Sequence, residues 1–195
     1  MGASLKLAVL GSTKGTDLQA IIDSNDLKKL PATLEVVISN SANAYILERA
    51  AKHNIPNFYI SHLDKEREQF DNQISTILKN HEVDLVLLIG FMRILSAKFC
   101  REWEGRILNV HPSLLPKYAG GMDASVHEEV IKNKETETGC TIHFVTEAVD
   151  RGPILIQKKC SVDTNDTPDS LKKKVQSLEG EAFIEAIKFF QNNIL

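Results

Sequence analysis

Hydrophobic positions along this chain keep two rhythms in alternation. Residues 5–11 (LKLAVLG), 34–40 (LEVVISN), 57–60 (NFYI), 84–90 (DLVLLIG) and 106–110 (RILNV) are short apolar runs with the length of buried strands. Between them, 17–27 (DLQAIIDSNDL), 44–53 (AYILERAAKH) and 63–81 (LDKEREQFDNQISTILKNH) are amphipathic. In the last of these, Phe70, Ile74, Ile77 and Leu78 share one helical face. A shorter helix is predicted around 96–103. Near-continuous apolar strands alternating with helices predict a parallel sheet covered on both faces. After residue 110 the pattern changes. TGCTIHFVTE and PILIQKKCSV read as two long strands joined by AVDRG, an antiparallel hairpin added to the sheet. From Thr167 the tail reads as one helix, with Thr-Pro-Asp-Ser supplying the cap and Pro168 in the first turn. Leu171, Val175, Leu178, Ala182 and Ile187 mark its apolar stripe. The pattern gives an α/β fold: an open, mostly parallel, Rossmann-like sheet of about seven strands, helices on both faces, and a C-terminal antiparallel hairpin. No repeat, low-complexity stretch or linker divides it, so residues 1–195 read as a single domain.

Composition narrows the function classes. The 195 residues are 43% hydrophobic and 25% charged, with a formal net charge of −3, which argues against a broad nucleic-acid-binding surface. No apolar run approaches the roughly 18 residues that span a bilayer. The start, MGASLKLAVLG, lacks the parts of a signal peptide, and Lys6 stands where a myristoylation pattern needs Ser or Thr. Cys100, Cys140 and Cys160 are far apart and odd in number, and the six histidines form no HxxxH, so neither a disulfide framework nor a zinc site is expected. A cytoplasmic protein with reduced thiols fits best.

Two stretches carry candidate chemistry. GSTKGTDLQA follows the first strand and opens the first helix. Gly11 and Gly15 permit a tight turn, and the N–H groups of Gly15, Thr16 and Asp17 would form an anion site at the helix start. Thr13 breaks a GxGxxG pattern, and no Walker GK[ST] ending is present. Phosphate binding and a plain strand-to-helix turn, with Asp17 as its cap, both remain open. In NVHPSLLPKYAGG, Asn109 and His111 are two apart at a strand end, so both point to one face. In open α/β sheets ligands bind at that edge. Asp150, in AVDRGP, is a candidate carboxylate partner for the histidine. A structural strand end and a turn aspartate are the competing readings. No Ser or Cys stands in a nucleophile signature, so an attacking group would come with the substrate.

Four segments occur in a telling order: GFMRIL (90–95), NVHPSLLPKYAG (109–120), GCTIHFVTEAVDRGPILIQ (139–157) and VQSLEGEA (175–182). Together they resemble the folate-dependent formyltransferases over nearly the whole chain, and NxHPSLLP followed by VDxGP is specific to that family. The layout resembles the branch that formylates glycinamide ribonucleotide in purine synthesis; a methionyl-tRNA formyltransferase would carry an extra C-terminal domain. The resemblance implies 10-formyltetrahydrofolate as co-substrate, glycinamide ribonucleotide as acceptor, and no metal. It implies neither nucleic acid nor membrane as partner, and leaves a homodimer open. It assigns catalysis to Asn109, His111 and Asp150. It assigns folate binding to Arg67, Met92, Arg93, Ile94, Leu95, Asn109, Val145, Val149 and Asp150, and nucleotide binding to Gly15, Thr16, Asp17, Gln176 and Glu179. The implied chemistry places the Asn109 amide and a protonated His111 on the oxyanion formed at the formyl carbon, with Asp150 keeping His111 charged. Leu115–Pro116 is expected to be cis. The chain departs from the family pattern at Ser12-Thr13-Lys14 and at Asp17, and a longer GGMDASVHE loop leaves the match of His127 open. Lys14 reads as solvent-facing, and His143 as structural or supporting.

Overall fold

The computed structural model describes residues 4–24, 32–121 and 123–193. Within them the sheet has seven strands: β1 (Leu5–Leu10), β2 (Ala32–Ser39), β3 (Asn57–Tyr59), β4 (Leu85–Leu88), β5 (Ile107–His111), β6 (Glu137–Phe144) and β7 (Ile154–Ser161). Six helices connect and cover them: α1 (Thr16–Asp23), α2 (Tyr45–Lys52), α3 (Arg67–Asn80), α4 (Ala97–Glu102), α5 (Asp123–Lys132) and α6 (Pro168–Asn193). The helix expected over 17–27 is α1; its predicted end, and Met122 of the long loop, lie outside the described residues.

Strand order is β3-β2-β1-β4-β5-β6-β7. The first five strands are mutually parallel, and β6 and β7 are antiparallel to their neighbours. Alternation along each strand divides the core. Leu5, Leu7 and Val9 of β1 join Leu18, Ile21, Val175 and Phe183 on the α1/α6 face. Ala8 and Leu10 join Phe70, Ile74, Phe99 and Trp103 on the α3/α4 face. Each fully buried Leu, Ile or Phe contributes about 1.5–3 kcal/mol relative to exposure. Helix α6 starts where the sequence put it. Thr167 Oγ1 accepts from Ser170 N at 3.2 Å, and Ser170 Oγ accepts in return from Thr167 N at 2.9 Å. Its apolar stripe packs against α1, β6 and β7.

The winding reverses between β1 and β4. The loops after these strands therefore part there and open a crevice at the C-terminal edge of the sheet. The two loops are tied across the crevice mouth. Ser12 N donates to Gly90 O at 3.0 Å, and Met92 N donates to Ser12 Oγ at 2.9 Å. Gly90 has φ +58, and Thr13 Oγ1 lies 2.4 Å from where a Cβ at 90 would stand.

Candidate active site

The loop after β1 is held by its carbonyls. Thr13 O accepts from Ile46 N at 3.2 Å, Lys14 O from Arg49 Nε at 2.7 Å, and Gly15 O from Gln19 N at 3.2 Å. With the acceptors bound to α1 and α2, the N–H groups of the first turn of α1 form the opposite, anion-favouring side. Gly15 is the N-cap, with φ 66 and ψ 44. Asp17 is therefore not the cap that the sequence suggested; it sits inside the first turn and is 5% exposed. Thr16 and Lys14 are exposed. Glu179 is buried on α6, with half-buried Gln176 three residues before it. Asp17 and Glu179 both act on one group: after burial itself, Glu179 and then Asp17 help push the Cys140 thiol up to about 12. The first turn of α1 and the middle of α6 thus converge on the same face of β6, and Cys140 is an inert core thiol there.

The segment after β4 lies on the other face. Leu95 is buried in the α3/α4 core, whereas Met92 and Ile94 are exposed. Arg93 lies 5.7 Å over the Phe70 ring. Buried Asp71 fixes the end of this segment by accepting from Ser96 N at 2.6 Å. Burial raises the Asp71 pKa, and the Ser96 hydrogen bonds together with the Arg67 and Arg93 charges offset part of that. Arg67 and Arg93 thus flank one carboxylate. Val145 packs half-buried against the same core, and Val149 is exposed on the turn beside Asp150. Leu95 and Val145 thus belong to the α3/α4 core, Met92, Ile94 and Val149 are exposed, and Arg67 and Arg93 stand by Asp71.

The polar cluster stands at the end of β5. Leu88 pairs with Asn109 in the sheet, and Asn109 pairs with His143 of β6. His111 Nδ1 is 3.3 Å from Asp150 Oδ2, and its Nε2 is 2.9 Å from Tyr118 O. Asp150 Oδ2 accepts from Gly120 N at 2.8 Å, while its Oδ1 is 3.5 Å from His143 Nε2. Asn109 Nδ2 lies 3.1 Å from that same Nε2. Asn109, His111 and Asp150 are brought together as expected, with His143 at the centre as a fourth member. The sequence left His143 unassigned because only the β5–β6 register shows what it faces. Asp150 has φ 53, a left-handed conformation that turns its carboxylate back toward the strands. The loop 112–116 is braced from behind. Thr141 Oγ1 donates to Ser113 O at 2.6 Å and accepts from Leu115 N at 3.0 Å, and Leu115–Pro116 is cis as expected.

Burial and the Asp150 carboxylate act on His111 in opposite directions. Burial pushes the His111 pKa below its usual 6.5, and Asp150 and the Tyr118 carbonyl offset only part of that. Asp150 acts in the expected direction, favouring the charged ring, and burial outweighs it. For Asp150, burial acts upward, but the hydrogen bonds from His143 and Gly120 and the two histidine charges outweigh it. Its carboxyl is held below the usual 3.8. Both His111 ring nitrogens face acceptors, Asp150 Oδ2 and the Tyr118 carbonyl. His127, the other histidine the sequence left open, is buried on α5 beside the Val126–Val130–Leu171 cluster.

The family model for formyl transferases matches residues 5–187. The chain belongs to the formyl transferase family. This formyl transferase is 38% identical over 192 residues to the phosphoribosylglycinamide formyltransferase of Escherichia coli, covering 98% of this chain and 89% of that protein. It is 42% identical over 190 residues to the trifunctional purine biosynthetic protein adenosine-3 of Drosophila melanogaster. That match takes in 96% of this chain but 14% of the fly protein, so the chain spans about one-seventh of that relative. The crystal structure of glycinamide ribonucleotide transformylase 1 from Symbiobacterium toebii superposes with a TM-score of 0.91 at 36% identity, covering 97% of this chain and 89% of that one.

Proposed function

We propose that this formyl transferase moves the formyl group of 10-formyltetrahydrofolate to the amine of glycinamide ribonucleotide, a step of purine synthesis, as a single cytoplasmic domain over residues 1–195. The observation that carries this reading is the Asn109–His111–Asp150 cluster at the sheet edge, with a phosphate-suited loop on one face and exposed Met92 and Ile94 beside Arg67 and Arg93 on the other. The nucleotide phosphate rests on Gly15, Thr16 and Asp17, and Gln176 and Glu179 meet its sugar and glycinamide. The pterin end of the folate lies along Met92–Leu95, Val145 and Val149. Arg67 and Arg93 attract the carboxylates of its tail. Both ligands are small molecules, and no nucleic acid or metal enters the scheme; a homodimer is compatible with it.

The chemistry uses the acid–base directions found above. The amine attacks the formyl carbon, forming the new C–N bond and a tetrahedral oxyanion. Asp150, whose carboxyl is held low and ionised, takes through water the proton that the amine must lose. The Asn109 amide and His111 then donate to the oxyanion; one such donor commonly contributes about 3–4 kcal/mol. Collapse breaks the bond to the folate nitrogen, which receives that proton from Asp150 through water. Formylated nucleotide and tetrahydrofolate result, with no proton left over.

The test is incubation of purified protein with 10-formyltetrahydrofolate, with and without glycinamide ribonucleotide. The expected outcome is nucleotide-dependent deformylation, with the formylated nucleotide identified by its mass. Deformylation that ignores the nucleotide would overturn the acceptor assignment and indicate a hydrolase. The His111→Ala variant is expected to bind both ligands and to lose at least a hundredfold in kcat, roughly the loss of one oxyanion donor.

A further inference from the structure

The ring nitrogen Nε2 of His143 has two neighbours that make opposite demands on it. His143 Nδ1 lies 3.0 Å from Phe144 O, a carbonyl that only accepts, so Nδ1 carries a proton. Asn109 Nδ2, an amide nitrogen that only donates, lies 3.1 Å from Nε2 and therefore needs its lone pair. Asp150 Oδ1, a carboxylate oxygen that only accepts, lies 3.5 Å from the same Nε2 and favours a proton on it. Both demands cannot be met at once. With Nε2 bare, Asn109 turns its NH2 toward His143 and its carbonyl away. With Nε2 protonated, the Asn109 carbonyl takes the contact with His143 and the NH2 swings to the other side, where an oxyanion needs donors. His143 is 2% exposed, so bulk solvent does not reach the ring to relieve the conflict.

We propose that His143 is a positioning residue whose ring proton decides which end of the Asn109 amide faces the reacting carbon. This rests on the formyl-transfer reading above and gives Asn109 a control separate from His111. The polar groups facing the His143 ring are Asn109 and His111 from β5 and Asp150 from the loop after β6; the residue opposite it on β7 is Ile154, which carries no charge. Protonated His143 is the state that arms Asn109, its Nε2–H then lying between the Asn109 carbonyl and Asp150 Oδ1.

Two measurements test this. In 15N-labelled protein, the Asn109 side-chain amide signals are followed against pH beside the His143 ring signal. They are expected to shift with one common midpoint, and to do so also in the His111→Asn variant. Amide signals that ignore the His143 midpoint overturn the proposal. In the transfer assay, His143→Gln is expected to lower kcat by about tenfold to a hundredfold, the upper end matching loss of one oxyanion donor. Both KM values should stay within about twofold, and one ionisation should vanish from the pH–kcat profile. A His143→Gln enzyme with wild-type kcat and pH profile overturns the proposal equally. If the wild-type protein transfers no formyl group, the reading of its function fails, and the amide titration still decides the role of His143. If the Gln variant does not fold, the titration of the wild-type protein decides alone.

Discussion

His111 is the residue whose behaviour differs most from its local sequence. NVHPS says that a histidine ends a strand, and nothing in those letters says that it is 3% exposed. Burial sets the direction of its pKa, and that direction has a consequence for stability. The unfolded chain binds a proton near the usual 6.5, and the folded one only at lower pH. The stabilisation is therefore complete above 6.5 and is lost as pH falls through the folded value. The thermal midpoint should decline as pH drops below about 6.5, and the decline should be shallower in His111→Gln. Equal pH slopes in the two proteins would remove His111 from the titration. His143 escaped the sequence reading for a related reason. In the alternation Ile142-His143-Phe144 it looks like any inward strand residue, and its partner depends on a pairing 34 positions away.

At the level of elements, the β1–α1 connection owes its shape to α2. Arg49 and Ile46 hold two of its carbonyls, and the Ile46 side chain fills the space beside Gly15. A Cβ at Gly15 would lie 2.4 Å from Ile46 Cγ1, in a left-handed conformation that costs about 1–2 kcal/mol for other residues. Gly15→Ala should therefore raise the KM for the nucleotide and leave that for the folate unchanged. An equal rise in both would detach this loop from the phosphate. The glycines were visible in the sequence, but the clamp by Arg49 was not, because it joins residues 35 apart. The bracing of 112–116 was hidden in the same way. Thr141 reads as a strand residue, yet its hydroxyl serves Ser113 O, Leu115 N and Gln157 Nε2. Thr141→Val keeps the volume and removes these bonds. Leaving buried backbone groups without partners should cost about 2–3 kcal/mol, lowering the thermal midpoint by roughly 4–10 °C. A midpoint within a degree of the wild type would mean that water or another side chain replaces the hydroxyl.

Across the whole molecule, strand type, strand number and the reversal into an antiparallel hairpin could all be read from hydrophobic period and run length. What the period could not give was how the last helix closes on the first. A Cβ at Gly180 of α6 would stand 2.5 Å from the Ala20 Cβ of α1, so the two helices meet at this glycine. Gly180→Leu should force them apart at a cost of about 1–3 kcal/mol. It should also raise the KM for the nucleotide more than that for the folate, since Asp17 and Glu179 sit on these two helices; an unchanged ratio of the two would contradict that placement. The contact between Thr13 and Gly90 has a consequence of another kind. It crosses the line where the two directions of winding part, so a change at one position is felt in the loop of the other. The threonine that spoils the dinucleotide-binding pattern occupies the space that a side chain at 90 would need. The two positions are therefore epistatic. Gly90→Ala should be tolerated better in a Thr13→Gly background than alone, leaving only the backbone strain of φ +58, and a double-mutant cycle on thermal unfolding measures the coupling.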